Sequence, residues 1–183
     1  TLRARHIPGH LNIWADQLSR PDQICSTEWS INPRVITAIK RIWDPPMIDL
    51  FATQFNHQLP LYVSPLPDPA AVAVDAISIS WENLVGYAYP PTPLIRKVLS
   101  KIRNSKSLIY LVAPYWPNQP WFPVLLDLLI DNPRSLSPGC LPKLLKQPRK
   151  PLFHNNPQRL NLHVWPLSNS HSRRKAFLDK CPK

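Results

Sequence analysis

The stretch from Trp81 to Tyr115, WENLVGYAYPPTPLIRKVLSKIRNSKSLIYLVAPY, decides the fold. An apolar run from Val85 to Tyr89 reads as a strand and stops at Pro90-Pro91. Thr92-Pro93 then offers a cap and first turn, and Leu94, Ile95, Val98, Leu99 and Ile102 recur at helical spacing. A second apolar run, Leu108 to Ala113, ends at Pro114. Strand, helix and strand in that order form the unit from which α/β sheets are built. Ligands of open α/β sheets sit outside the carboxyl ends of the strands, so the loop after Tyr89 is where chemistry is expected.

Upstream, Asn32 can cap and Pro33 can open a helix carrying Val35, Ile39 and Ile42 on one face, ending before Pro45-Pro46. The next run, Met47 to Phe51 (MIDLF), reads as a strand with one odd polar residue, Asp49. Buried carboxylates are rare unless paired or bound to a ligand. Asp49 therefore either marks a ligand-facing strand end or sits on the solvent face of an edge strand. Asp44-Pro45-Pro46-Met47 invites comparison with the Asp-Pro-Pro-Tyr box of amino-methyltransferases, but it precedes a strand instead of following one. Asn56 to Asp75 is broken by prolines and reads as an irregular excursion with one short helix around Ala70 to Val74. DAISISW, Asp75 to Trp81, leads back into the deciding stretch.

Downstream, PYWPNQPWFP crowds Tyr115, Trp116, Trp121 and Phe122 into a proline-rich loop, where the rings either stack bases or pack on the sheet as a lid. Trp121 to Ile130 reads as an apolar helix, Pro133 to Pro151 lacks periodicity, and Leu160 to Trp165 reads as a final strand. The tail SRRKAFLDK is a basic cluster followed by a helix start at Ala176-Phe177-Leu178.

Bulk properties narrow the function classes. The chain has 183 residues, 44% of them hydrophobic, which is enough for one real core with an appended segment. A net charge of +11 implies an acidic partner, DNA or RNA before others, since the longest apolar stretch, Val124 to Ile130, is too short to span a bilayer. The basic candidates are Arg96, Lys97, Lys101, Arg103 and Lys106 on the central helix and its exit, Arg173, Arg174 and Lys175 in the tail, with Trp116 as a stacking ring. The alternative for such charges is a solvated surface. Cys25, Cys140 and Cys181 lie far apart with no zinc-knuckle spacing, which fits a reducing compartment, cytoplasm or nucleus. His154, His163 and His171 with Cys181 match no familiar zinc spacing. Only three glycines occur, so no glycine-rich phosphate loop can be built. The chain opens at Thr1, not at a methionine, and is read as a piece of something longer.

Residues 5–20, RHIPGHLNIWADQLSR, resemble the carboxyl end of retroelement ribonuclease H domains: a histidine, a proline-glycine turn, an asparagine, then Ala-Asp and Leu-Ser. The resemblance implies that Asp16 is the last of four metal-binding carboxylates and that His6 lies on a loop near the scissile phosphate. Paired magnesium ions need clustered carboxylates, so Asp16 can hold metal only with three acids upstream of Thr1. Taken whole, the order of segments is similar to the polymerase polyprotein of DIRS-type retrotransposons, in which a reverse transcriptase and ribonuclease H unit precedes a domain related to phage-type DNA adenine methyltransferases. IDLFATQFN, DAISISW, YAYPPTPLI and LVAPYWPNQPWF carry that likeness.

The resemblance implies a Rossmann-like, methyltransferase-type α/β sheet with flanking helices over residues 32–170. Residues 1–20 are then the ribonuclease H remnant, 21–31 a linker and 171–183 a basic tail. It also implies S-adenosylmethionine as cofactor, with Asp49, Phe51 and Asp75 beside it. In active adenine-N6 methyltransferases an Asn or Asp precedes two prolines and an aromatic follows them, the first accepting a hydrogen bond from the target amine and the ring stacking on the flipped base. Here the matching residues are Tyr89, Pro90, Pro91 and Thr92. The acceptor has become a phenol and the ring a hydroxyl, and the cofactor strand lacks glycines for close backbone approach. The expectation is a degenerate domain that assists nucleic-acid handling alongside the upstream polymerase domains. The alternatives are an active N6-adenine methyltransferase with an unorthodox box, and a spacer that packs on the polymerase without a ligand.

Overall fold

The structure is a computed structural model that describes residues 29–136, 143–148 and 152–180. His6, Asp16, the ribonuclease H resemblance and most of the expected linker lie outside the described residues.

A nine-residue helix, α1 (Arg34–Ile42), follows a two-residue strand, β1 (Ser30–Ile31). Asn32 Oδ1 accepts the Arg34 amide at 3.0 Å, and the helix ends where Trp43 turns extended ahead of Pro45-Pro46. Then come β2 (Ile48–Asp49), β3 (Leu61–Ser64), β4 (Ala73–Val74) and β5 (Val85–Ala88). A 3-10 turn (Thr92–Leu94) leads into α2 (Ile95–Arg103), and β6 (Leu108–Pro114) follows. The remainder is α3 (Phe122–Asp127), β7 (Arg134–Ser135), β8 (Leu145–Lys146), a second 3-10 turn (Pro157–Leu160), β9 (Leu162–Ser168) and α4 (His171–Leu178).

Seven of these strands form one sheet in the order β4-β3-β2-β5-β6-β9-β7. The run from β4 to β6 is parallel throughout, while β9 is antiparallel to both β6 and β7. The architecture is therefore a Rossmann-like mixed α/β fold, a mostly parallel sheet flanked by helices. All seven residues of β6 are buried, as a continuous apolar run predicts for a strand covered on both faces.

Alternation along the strands divides the core in two. Leu50, Ala88, Ile109, Leu111, Trp165 and Leu167 face α2 and α3, meeting Ile95, Val98, Leu99, Ile102, Phe122 and Leu125. Tyr87, Leu108, Tyr110, Val112 and Val164 face α1, meeting Val35, Ile36 and Ile39. Gly86 leaves room for neighbouring side chains: a Cβ there would lie 3.1 Å from both Ile109 Cδ1 and Leu50 Cδ1. β1 and β8 make a separate two-stranded ribbon, so Ser30 and Ile31, placed by the sequence in a linker, are paired to the domain.

Several expectations are corrected. Ala70 to Val74 is not helical: Ala73–Val74 is the edge strand β4, paired parallel to Val63 and Ser64, with the Val72 amide donating to Tyr62 O at 3.0 Å. The proline-broken excursion also contains β3, between Pro60 and Pro65. In α1 the buried face is Val35, Ile36 and Ile39, while Ile42 is 47% exposed. The tail is a helix from His171, tied to the domain by Arg173–Asp44 (3.2 Å) and Arg174–Asp127 (3.5 Å). Met47 to Phe51 narrows to a two-residue strand, although ladder bonds from the Met47 and Leu50 amides extend the pairing with β5.

Candidate functional site

After β2 the chain moves toward β3 on one side, and after β5 it moves through α2 to β6 on the other. β2 and β5 are neighbours, so a crevice opens between their carboxyl ends, the usual ligand position in doubly wound sheets. A cavity of about 430 Å³ lies there. On the β2–β4 side its walls are Leu50, Phe51, Ala52, Thr53, Asn56, Val63, Pro65, Asp75 and Ala76. On the β5–β9 side they are Tyr89, Val112, Pro114, Leu160, Leu162 and Trp29, with Pro90, Pro91, Thr92 and Leu94 between the halves.

Asp75 is held at the rim by its own backbone. Its φ of 55° lies in the left-handed region, its amide donates to Ser64 O at 2.8 Å, and Oδ1 accepts the Ile77 amide at 3.0 Å. The rest of DAISISW locks this turn. Ala76 is buried, the buried Trp81 indole donates to Ala76 O at 2.8 Å, and Lys101 Nζ reaches from α2 to Ile77 O at 2.7 Å. A tight turn also shapes ATQFN, where Asn56 Oδ1 accepts the Thr53 amide at 2.7 Å.

Asp49 is placed differently from Phe51 and Asp75. It is 2% exposed and does not line the cavity. Its carboxylate accepts the Gln58 amide at 3.0 Å and, more weakly, the Phe51 amide at 3.4 Å. Burial pushes it from 3.8 up to about 6, against the pull of those amides and of the nearby His57. Beside it in register on β5 is Tyr87, whose buried hydroxyl has no hydrogen-bond partner among the described residues. The acid thus fixes the path of the loop after β2, while Gln58 Nε2 carries the same loop to Ser30 Oγ (3.1 Å) and Ile31 O (3.0 Å).

The Tyr-Pro-Pro-Thr segment lies along the cavity as its position after β5 predicts. Burial raises the Tyr89 phenol to about 12, so it stays protonated at neutral pH and offers a donor. Thr92 opens the 3-10 turn and brings no ring. Asp44-Pro45-Pro46 sits at the other, amino end of β2, where Asp44 meets Arg173 and its carbonyl accepts the Tyr110 hydroxyl at 2.7 Å. That box is structural.

The basic candidates do not converge. Arg96, Lys97, Arg103 and Lys106 are exposed on α2 and its exit, whereas Lys101 is half-buried in its bond to Ile77 O. Arg173 and Arg174 face acids and Lys175 is exposed. Trp116 packs half-buried against the core beside the buried Trp121 and Phe122, and Tyr115 stacks on Trp165 at 5.8 Å, which favours the lid over the base-stacking loop. Sequence reasoning missed Trp29 altogether. It stood in an apparent linker with no periodicity around it, and the segment beside it is tied to the domain by the pairing of Ser30 with Lys146 and by the Gln58 side chain.

No family model matches the chain, and no curated protein matches it. Among the described residues no cluster of His, Cys, Asp or Glu could hold a metal, and no helix is long and apolar enough to cross a membrane.

Proposed function

We propose that this chain is part of a retroelement polyprotein whose methyltransferase-like domain has lost methyl transfer and works as a nucleic-acid-handling module beside the polymerase. One observation carries the reading: the strand order, with the Tyr-Pro-Pro-Thr loop bordering the cavity at its switch point. Counted within the sheet, the order is third, second, first, fourth, fifth, seventh, sixth, with the seventh reversed. The dinucleotide-binding arrangement runs 3-2-1-4-5-6. The first five positions follow that arrangement, and the departure is one reversed strand placed between the fifth strand and the edge.

The cavity is a poor fit for S-adenosylmethionine. Among the described residues no cationic side chain lines it to meet the cofactor's carboxylate, and the Phe51 side chain lines it just after β2, where glycines would let the backbone approach. Asp49, the acid expected there, is committed to backbone amides. At the reacting end, Tyr89 supplies a protonated phenol and Thr92 no stacking ring. What remains is a sheet with a largely apolar crevice and a strongly basic chain, which suits phosphate contacts along the outside and a base within.

The test is binding of a fluorescent single-stranded oligonucleotide by the purified chain across a salt series. Affinity should fall linearly with salt on logarithmic axes, and Arg96→Glu with Lys97→Glu should weaken binding and flatten the slope by about 1 to 2. Absence of binding at low salt from a folded protein overturns the reading.

A further inference from the structure

The two halves of the cavity differ in chemistry. Thr53, Asn56 and Asp75 are all on the β2–β4 side. The β5–β9 side is made of Val112, Pro114, Leu160 and Leu162 together with the rings of Tyr89 and Trp29. Tyr89 is the only titratable side chain in that half among the described residues. A phosphate finds no cation there, but a planar heteroaromatic ring finds apolar walls for its faces and the Tyr89 hydroxyl for its edge.

Trp29 is held for such a role. Its ring meets the His154 ring edge-on, with centroids 5.0 Å apart and planes at 70°. His154 is itself fixed, since its amide donates to Leu145 O at 3.0 Å and its Nδ1 accepts the Asn156 amide at 3.1 Å. Trp29 is half-buried against the α1-side core, so it has a packed side and a side toward the cavity. A buttressed indole on one wall of a half-cavity lined by no charged side chain among the described residues, in a chain of net charge +11, meets the requirements for stacking one base of a strand whose phosphates lie outside.

We propose that Trp29, braced by His154, is the stacking wall of a nucleobase subsite in the β5–β9 half of the cavity, a ring supplied from outside the proline box where Thr92 supplies none. The proposal rests on the nucleic-acid reading above and names the part of the ligand that enters.

The experiment compares an oligodeoxyadenylate with an abasic deoxyribose-phosphate chain of equal length and label. Wild type should bind the adenylate about tenfold more tightly, the usual range for one stacked base. Trp29→Leu, which keeps apolar bulk and removes the ring, should abolish that preference while abasic binding stays unchanged. Trp29→Phe should keep most of it. His154→Ala, which leaves Trp29 in place if Trp29→Leu does not fold, should reduce the preference about threefold. A preference that survives both Trp29→Leu and His154→Ala, or a folded wild type that binds both chains equally, overturns the subsite and leaves the phosphate-contact reading standing. Failure to bind either chain overturns both.

Discussion

Replacing Asp49 with asparagine should change how stability depends on pH. The carboxyl is 2% exposed and burial holds it at about 6, against 3.8 for the same group in the unfolded chain. Between those values the folded protein binds the proton more tightly than the unfolded one, so this group's contribution falls as pH rises. It is fully present below 3.8 and lost once pH passes about 6. The difference corresponds to about 3 kcal/mol of destabilisation at neutral pH. Part of that has already accrued at pH 4, so about 2 kcal/mol should disappear between pH 4 and pH 7.5. The asparagine side chain would not titrate, and its amide oxygen can still accept the Gln58 amide that Asp49 holds at 3.0 Å. Urea unfolding followed by fluorescence of the buried Trp81 and Trp165 at several pH values gives both curves. Subtracting wild type from Asp49→Asn cancels groups that do not interact with Asp49, and the difference should climb by about 2 kcal/mol over that span. Parallel curves would refute the reasoning and place the ionised carboxylate in contact with water.

Further perturbations probe neighbouring features. Tyr87→Phe removes a buried hydroxyl that has no partner among the described residues and should stabilise the fold by about 1 kcal/mol in the same urea assay, since an unsatisfied buried polar group costs about that much. Gly86→Ala places a methyl 3.1 Å from Ile109 Cδ1 and Leu50 Cδ1; those flexible side-chain ends can shift, so the loss should be about 1 to 2 kcal/mol instead of failure to fold. Lys101→Met keeps the aliphatic stem but breaks the 2.7 Å bond to Ile77 O, and hydrogen exchange of the Ile77 and Ser78 amides should speed up while the β6 amides stay protected.

The centre of the fold was legible because its elements are long and consistently patterned. α2 and β6 lie where helical spacing and a continuous apolar run put them, and Pro90-Pro91 marks the loop between β5 and α2. The outer half of the sheet was not. β3 is four residues between prolines, buried at Tyr62, Val63 and Ser64, and a strand covered on both faces has no period to detect. β4 is a two-residue edge that becomes a strand only by pairing with β3. At the site, Tyr89 to Thr92 and Asp75 could be placed from the motifs. Whether Asp49 faced a ligand depended on the path of residues 50–58, which brings the Phe51 and Gln58 amides to it. Trp29 depended on ties to distant parts of the chain, Ser30 with Lys146 and with the Gln58 side chain, which no local signal reveals.

The most direct test of the central claim is incorporation of tritium from labelled S-adenosylmethionine into an adenine-containing oligonucleotide under salt conditions where the chain binds it. The account predicts binding with incorporation no higher than in a protein-free control. Incorporation that rises with protein concentration and is lost in Tyr89→Phe would contradict it and make this domain a working methyltransferase.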